Sequence, residues 1–237
     1  HCNGNNCVNT KEIITSEAAL QEMSYESPEM MAGLIKEAPN MGALGKYLLH
    51  CFGSFDFEGV TRCLPNKTFS DKTERKVGDK LVELIEVGPA HTKGDILVYV
   101  PSDKTVFTGD ILFIEGHPIL WEGPVKNWIK ACEKIIAMEV DFVIPGHGPV
   151  TDNRGVKAMR NYLVYIDKEI RRRFEAGMSA LEAAKDINLD DFSSWGDKER
   201  IAVNANSLYR EYQGEERKEE MTLLFQQMAE IAGFEDE

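Results

Sequence analysis

Long apolar runs are missing from this chain of 237 residues. No stretch of about 18 apolar residues occurs, so nothing in it reads as a membrane span. Positive charge is also short. Against 40 Asp and Glu stand 27 Lys and Arg, for a formal net charge of −13 and a pI of about 4.9. Phosphate backbones are held by clustered cations, so this balance argues against a nucleic-acid partner. The one dense basic run, Arg171-Arg172-Arg173, reads as the solvated face of a helix. Cysteine is sparse and lacks a pattern: Cys2, Cys7, Cys51, Cys63 and Cys132 form an odd set with no CxxC pair. Neither a thiolate zinc site nor a disulfide framework is indicated. A reducing, cytoplasmic setting is then the default expectation. An initiator Met is lacking too. Residue 1 is His, so there is no natural start at which to look for a signal peptide. Internal repeats and low-complexity linkers are absent, and a single domain spanning 1–237 is the simplest expectation.

What is present is an ordinary globular composition, 43% hydrophobic and 28% charged. Residues 1–8 read as a polar loop running into a short helix. Glu12 to Thr15 reads as a strand, with Ser16 as N-cap of a helix over 17–23. From Ser27 to about Phe52 the pattern is helical, broken at Asn40-Met41-Gly42. Residues 24–53 are therefore read as a helical insertion, either completing a core or forming a lid whose Met-bearing side shapes a pocket. Phe55 and Phe57 alternate in a β-like way. Val77-Gly78-Asp79 predicts a hairpin ahead of the strand 80–87. Strands are expected over 96–100, 105–110 and 140–144, with an amphipathic helix over 123–138 between the last two. A long helix follows over 153–176, with the stripe Val156, Met159, Leu163, Ile166, Ile170 and Phe174. Further helices are expected over 179–186, 198–212 and 216–232, so 152–237 is a run of C-terminal helices. Tyr209 and Arg210 are assigned core and surface roles.

Four residues attract attention because each ends a strand or begins the chain beside small residues. His1 opens the sequence. His91 follows the strand 81–87, in Gly88-Pro89-Ala90-His91-Thr92-Lys93-Gly94-Asp95. Asp110 ends Val106-Phe107-Thr108-Gly109-Asp110. His147 stands in Pro145-Gly146-His147-Gly148 after the apolar run 140–144. Imidazole and carboxylate together suit borderline and first-row metals, and such sites keep positions open for water. Thr92 and Asp95 are candidates for fixing the orientation of the histidine rings. Around them, His117, Trp121, His50 and Lys93 are candidate substrate contacts. His117 is also a fallback ligand, and His50 and Lys93 are as readily ordinary packing and solvated side chains.

Taken in order, these segments resemble the motifs of the metallo-β-lactamase superfamily. His1-Cys2-Asn3-Gly4-Asn5 looks like the last His of a His-x-His-x-Asp-His motif and the loop after it. The segments around His91, Asp110 and His147 resemble the second, third and fourth motifs. The resemblance covers about residues 1 to 150. It implies an α/β fold, the C-terminal portion of an αββα sandwich, with a helical insertion and extra C-terminal helices. It also implies a metal set of His1, His91, Asp110 and His147, with Asp110 as the catalytic bridge between two ions. The earlier two His and the Asp of the first motif do not occur ahead of His1, so the expectation is a chain truncated at its N-terminus.

The activity implied is metal-dependent hydrolysis of an ester, thioester or lactone by a metal-bound hydroxide, on a small-molecule substrate. Zinc, as one or two ions, is the first expectation, with iron or manganese as alternatives. Competing readings are a mononuclear iron oxygenase of the persulfide dioxygenase kind, a non-catalytic binding module of the same fold, and a copper site made by the α-amine and ring of His1. The net charge disfavours nucleic-acid-cleaving relatives, and no membrane association is expected.

Overall fold

A computed structural model describes residues 2–25, 27–215 and 221–236. The chain divides into two compact units, residues 1–68 with 218–237, and residues 69–217.

The first unit is largely helical. A two-stranded sheet pairs β1 (Ile14–Ser16) with β2 (Lys67–Phe69). The Asn66 side chain secures the junction. It accepts from the Ile13 N–H at 2.9 Å and donates to the Lys11 carbonyl at 2.9 Å. Ser16 begins α1 (Glu17–Tyr25) as a cap should, its hydroxyl accepting from the Ala19 N–H at 3.2 Å. The break at Asn40-Met41-Gly42 separates α2 (Pro28–Glu37) from α3 (Gly42–Phe52). Tyr47 and Leu48 of α3 are buried, as are Leu224, Met228 and Ala229 of the last helix, Met221–Ala232. The Tyr47 ring meets Phe225 and Phe234, and its hydroxyl lies 3.7 Å from the Met228 sulfur. The alternation of Phe55 and Phe57 does not make a strand. Among the described residues, 53–66 carry none, because Gly53, Gly59 and Pro65 interrupt any pairing run. Phe55 is left exposed with the Phe57 ring 6.3 Å away.

The second unit is built on a five-stranded sheet in the order β3-β4-β5-β6-β7. β3 (Lys72–Val77) and β4 (Lys80–Glu86) form the expected hairpin, with Val77 opposite Lys80 across a two-residue turn. β5 (Ile96–Val100) and β6 (Thr105–Phe113) continue the antiparallel order. β7 (Phe142–His147) lies parallel to β6, which requires a crossover. The helix α4 (Val125–Ala137) supplies it. Register separates the two faces. Ile85, Leu97, Val106 and Val143 are buried on one, beneath the helical layer. The other carries Leu84, Val98, Phe107 and Ile144 in line across four strands, and here Phe107 remains 45% exposed.

α5 (Asn153–Glu175) buries Val156, Met159, Leu163, Ile166 and Ile170 of the stripe its spacing predicts, while Phe174 is only half-buried, against the rings of Tyr209 and Tyr212. α6 (Ala180–Asp186) starts with a capping box formed by Ser179 and Glu182. α7 (Ile201–Gln213) follows a short 3-10 turn at Lys198–Arg200. The basic run on α5 is not uniformly solvated. Arg173 is only 5% exposed and donates to the carboxylates of Glu169 at 3.0 Å and Asp186 at 2.9 Å. The step from Ile170 to Arg173 keeps Arg173 on the apolar side, where two acids satisfy its guanidinium. Arg210 is likewise buried. A five-stranded sheet, a small two-stranded one and many helices make up the α/β class expected.

Candidate functional site

The loop between β4 and β5 delivers His91. Its shape is set by Asp95, whose carboxylate accepts from the Thr92 N–H at 2.9 Å and the Thr92 hydroxyl at 2.8 Å. The Asp95 carbonyl accepts from the N–H groups of Val87 and Gly88. Burial pushes the Asp95 carboxyl above its ordinary range, against the pull of His91 and the Thr92 bonds. Thr92 and Asp95 thus hold the loop, while the His91 ring is oriented by a different group. His91 is 7% exposed, and its Nδ1 lies 2.7 Å from the carbonyl oxygen of Ile119. A carbonyl can only accept, so the bond assigns the hydrogen to Nδ1. Nε2 then faces Asp110 Oδ2 at 3.4 Å. Phe113 and Trp128 wall the ring, with centroids 5.6 and 5.7 Å away, and the Trp128 indole N–H is anchored on the Ile111 carbonyl.

Asp110 does not end its strand as the sequence reading had it. β6 runs on to Phe113, and its register against β7 slips on both sides of Gly109. Gly109 takes a φ of +51°, a conformation that a side chain would strain. The apolar Ile111-Leu112-Phe113 continues into the core, so the carboxylate sits at an irregularity inside a strand. His147 closes β7 opposite Phe113, and the two rings stack at 4.4 Å with 9° between planes. Its Nε2 lies 3.4 Å from Asp110 Oδ1. Gly146 is required by close approach, since a Cβ there would lie 2.2 Å from Asp110 Oδ1.

The structure thus brings His91, Asp110 and His147 together, one carboxylate oxygen to each ring. Among the described residues no group of three or more His, Cys, Asp or Glu side chains is placed to hold a single ion. The carboxylate stands between the rings instead. With Nδ1–H committed to Ile119, a neutral His91 points a nitrogen lone pair at a carboxylate oxygen. That pairing is repulsive unless a cation or a proton lies between them. The donor chemistry therefore fits a divalent metal on either side of Asp110.

The remaining candidates are placed as follows. His1 lies outside the described residues. His50 belongs to the first unit, at the exposed end of α3, with the Phe234 ring 5.7 Å away. Lys93 is exposed on the His91 loop. Trp121 is half-buried, and its carbonyl accepts from Arg210 at 3.2 Å. His117 does not face an open loop surface. It is fully buried, with the rings of Tyr162 and Trp195 at 5.1 and 5.8 Å. Among the described residues neither of its ring nitrogens makes a hydrogen bond of ordinary geometry, and burial lowers its pKa to about 4 against the pull of the Phe192 main chain and Asp197. Sequence reasoning missed Phe113 and Ile119. Phe113 follows Asp110 by three residues in an apolar run, which signalled only core. Ile119 contributes a main-chain carbonyl, for which residue type carries no signal.

Comparison with known proteins adds a family. The sequence profile described as Metallo-beta-lactamase superfamily matches residues 25–147. The chain is 37% identical over 103 residues to the probable hydroxyacylglutathione hydrolase glo2 of Schizosaccharomyces pombe, covering 42% of this chain and 38% of that protein. It is 34% identical over 79 residues to a hydroxyacylglutathione hydrolase of Brucella anthropi, covering 33% of this chain and 30% of that protein. The chain thus spans about two-fifths or less of the length of these curated relatives. Among solved structures, the sec-alkylsulfatase Pisa1 from Pseudomonas sp. aligns with a TM-score of 0.61 at 15% identity, over 90% of this chain and 39% of that one. That is a likeness of fold alone.

Proposed function

The chain belongs to the metallo-beta-lactamase superfamily, and on that footing we propose that it serves a metal-dependent hydrolysis of a small thioester. The class is the acyl-glutathione type for which its curated relatives are named. One observation carries the reading: each oxygen of Asp110 faces a different imidazole nitrogen at 3.4 Å. His91 and Asp110 would hold one metal ion, and His147 and Asp110 a second. Zinc is favoured, and iron or manganese would suit the same donors. Two donors per ion leave further positions to water and to other ligands, His1 among them.

A bound divalent ion supplies Lewis acidity toward a carbonyl oxygen and brings the pKa of a water toward about 7. The protein's own groups prepare the place for that chemistry. The Ile119 carbonyl keeps the proton on His91 Nδ1, which frees Nε2 as a donor. Phe113 holds the His147 ring flat against its own face. Trp128 and Phe113 keep water from the flanks of His91. In the net reaction water adds to the acyl carbon and the C–S bond breaks. The thiol leaves with one proton of the water, and the other is released to solvent as the acid ionises to its carboxylate.

The test is elemental analysis of the chain after zinc loading and dialysis, with thiol release from a hydroxyacyl-glutathione thioester measured in parallel. Zinc retention and thiol release are expected in the wild type, and both are expected to be lost in Asp110→Ala. A wild-type chain that retains no zinc, or an Asp110→Ala chain that hydrolyses as before, would overturn the proposal.

A further inference from the structure

The segment from His117 to Val125 passes beside His91, and α7 holds it residue by residue. Arg200, just ahead of α7, donates to the His117 carbonyl at 2.9 Å. Asn204 donates to the Pro118 carbonyl at 3.0 Å and accepts from the Leu120 N–H at 2.7 Å. The Ser207 hydroxyl donates to the Leu120 carbonyl, and Arg210 donates to the Trp121 carbonyl at 3.2 Å. Glu211 accepts from the Val125 N–H at 2.7 Å. Positions 200, 204, 207 and 211 recur at helical steps, so one stripe reads out consecutive main-chain groups of the segment.

Asn204 occupies the decisive place in that stripe. It is fully buried, and its amide also lies 3.3 Å from the Tyr162 hydroxyl. The Leu120 N–H that it binds and the Ile119 carbonyl that meets His91 belong to one peptide unit. That unit is planar and trans, so its N–H and C=O point in opposite directions. Asn204 Oδ1 grips one end and His91 Nδ1 the other. Fixing the N–H therefore fixes the direction of the carbonyl. The carbonyl in turn decides which ring nitrogen of His91 carries hydrogen and which presents a lone pair to Asp110.

The geometry points to Asn204 as a positioning residue that selects the Nδ1–H tautomer of His91 through the Ile119–Leu120 peptide. Asn204 touches neither metal donor. It acts on the histidine through one rigid plane, and its Pro118 bond steadies the peptide before it. Ser207 grips the next peptide along and has no lever on the Ile119 carbonyl. The inference rests on the metal-site reading above, but the tautomer can be read with no metal present, so the two fail separately.

The experiment uses the whole chain labelled with nitrogen-15 at histidine. Long-range proton–nitrogen correlation at mildly alkaline pH reports which nitrogen of each ring is protonated. Zinc ion alone is then titrated by competition with a chelating dye. The wild type is expected to show hydrogen on Nδ1 of His91 throughout, whether or not Nε2 also holds a proton toward Asp110. Asn204→Ala and Asn204→Ser are expected to show both tautomers, with zinc affinity about 10- to 100-fold weaker. Ser207→Ala should match the wild type in both readouts. A folded Asn204 variant that keeps a single Nδ1–H tautomer with wild-type zinc affinity would overturn the inference. So would a wild-type His91 in the Nε2–H form, a result that needs no variant to fold. A tautomer that follows Asn204 in a chain that takes up no zinc would support the positioning role and sink the hydrolase reading.

Discussion

Replacing Gly146 by alanine tests how tightly the two strands close around Asp110. The added Cβ would lie 2.2 Å from Asp110 Oδ1 and 2.7 Å from the carbonyl carbon and oxygen of Gly109. Ordinary van der Waals contact begins near 3.4 Å, so the carboxylate and the strand must retreat by roughly 1 Å. Two of the three obstructing atoms are main chain and cannot swing aside. Overpacking of this kind costs about 1–3 kcal/mol. For a domain of this size that is roughly 2–12 °C in melting temperature. The third atom belongs to the carboxylate between His91 and His147, so the same retreat disturbs both 3.4 Å approaches. Circular dichroism should record the lower melting temperature, and zinc uptake should fall by about tenfold or more. Gly33→Ala is the companion control. It lies within α2, nothing stands within 4 Å of the added Cβ, and the exchange should be neutral or stabilising by about 0.5–1 kcal/mol. A Gly146→Ala chain that melts and binds zinc like the wild type would refute the reasoning.

Two other perturbations follow from the packing. The buried His117 ring resists protonation in the fold until about pH 4, whereas in an unfolded chain it takes a proton below about 6.5. The unfolded state thus binds more protons between those values. Stability should fall as pH drops through that window, by about 3 kcal/mol in all, and His117→Leu should flatten that part of a urea-denaturation profile against pH. An unchanged slope in the variant would remove His117 as its origin. Separately, Arg173→Ala leaves the Glu169 carboxylate without its buried partner and should cost about 2–4 kcal/mol by chemical denaturation. Arg172→Ala, whose side chain is 70% exposed, should change stability by about 0.5 kcal/mol or less.

What could be read from the chain alone follows the kind of signal each element emits. β5 lies where the unbroken run Ile96–Val100 meets a Pro-Ser-Asp turn, and α5 lies where apolar residues recur at three and four. Asp110 was legible as a candidate donor but misplaced along its strand. Thr-Gly-Asp reads locally as a turn, and only pairing with β7 shows that a register slip absorbs it. Arg173 was illegible as a buried residue because its partner Asp186 lies 13 residues further along the sequence, on another helix. The Ile119 carbonyl and the row of bonds from α7 were illegible for a different reason. One side of each contact is main chain, which is the same at every position. Side-chain chemistry was written in the letters; the direction of a peptide plane was not.

The bonds from α7 join groups 84 to 89 residues apart in sequence, at Leu120, Pro118 and Trp121. A growing chain therefore has His91, Asp110 and His147 in hand well before residues 204 to 211 are made. Until that helix docks, the Leu120 N–H lacks the acceptor that fixes the peptide beside His91. On the proposed reading, the site is completed late in synthesis, with the final elements of the second unit, and a chain halted short of residue 204 would carry every described candidate donor without the Asn204 bond to the Ile119–Leu120 peptide.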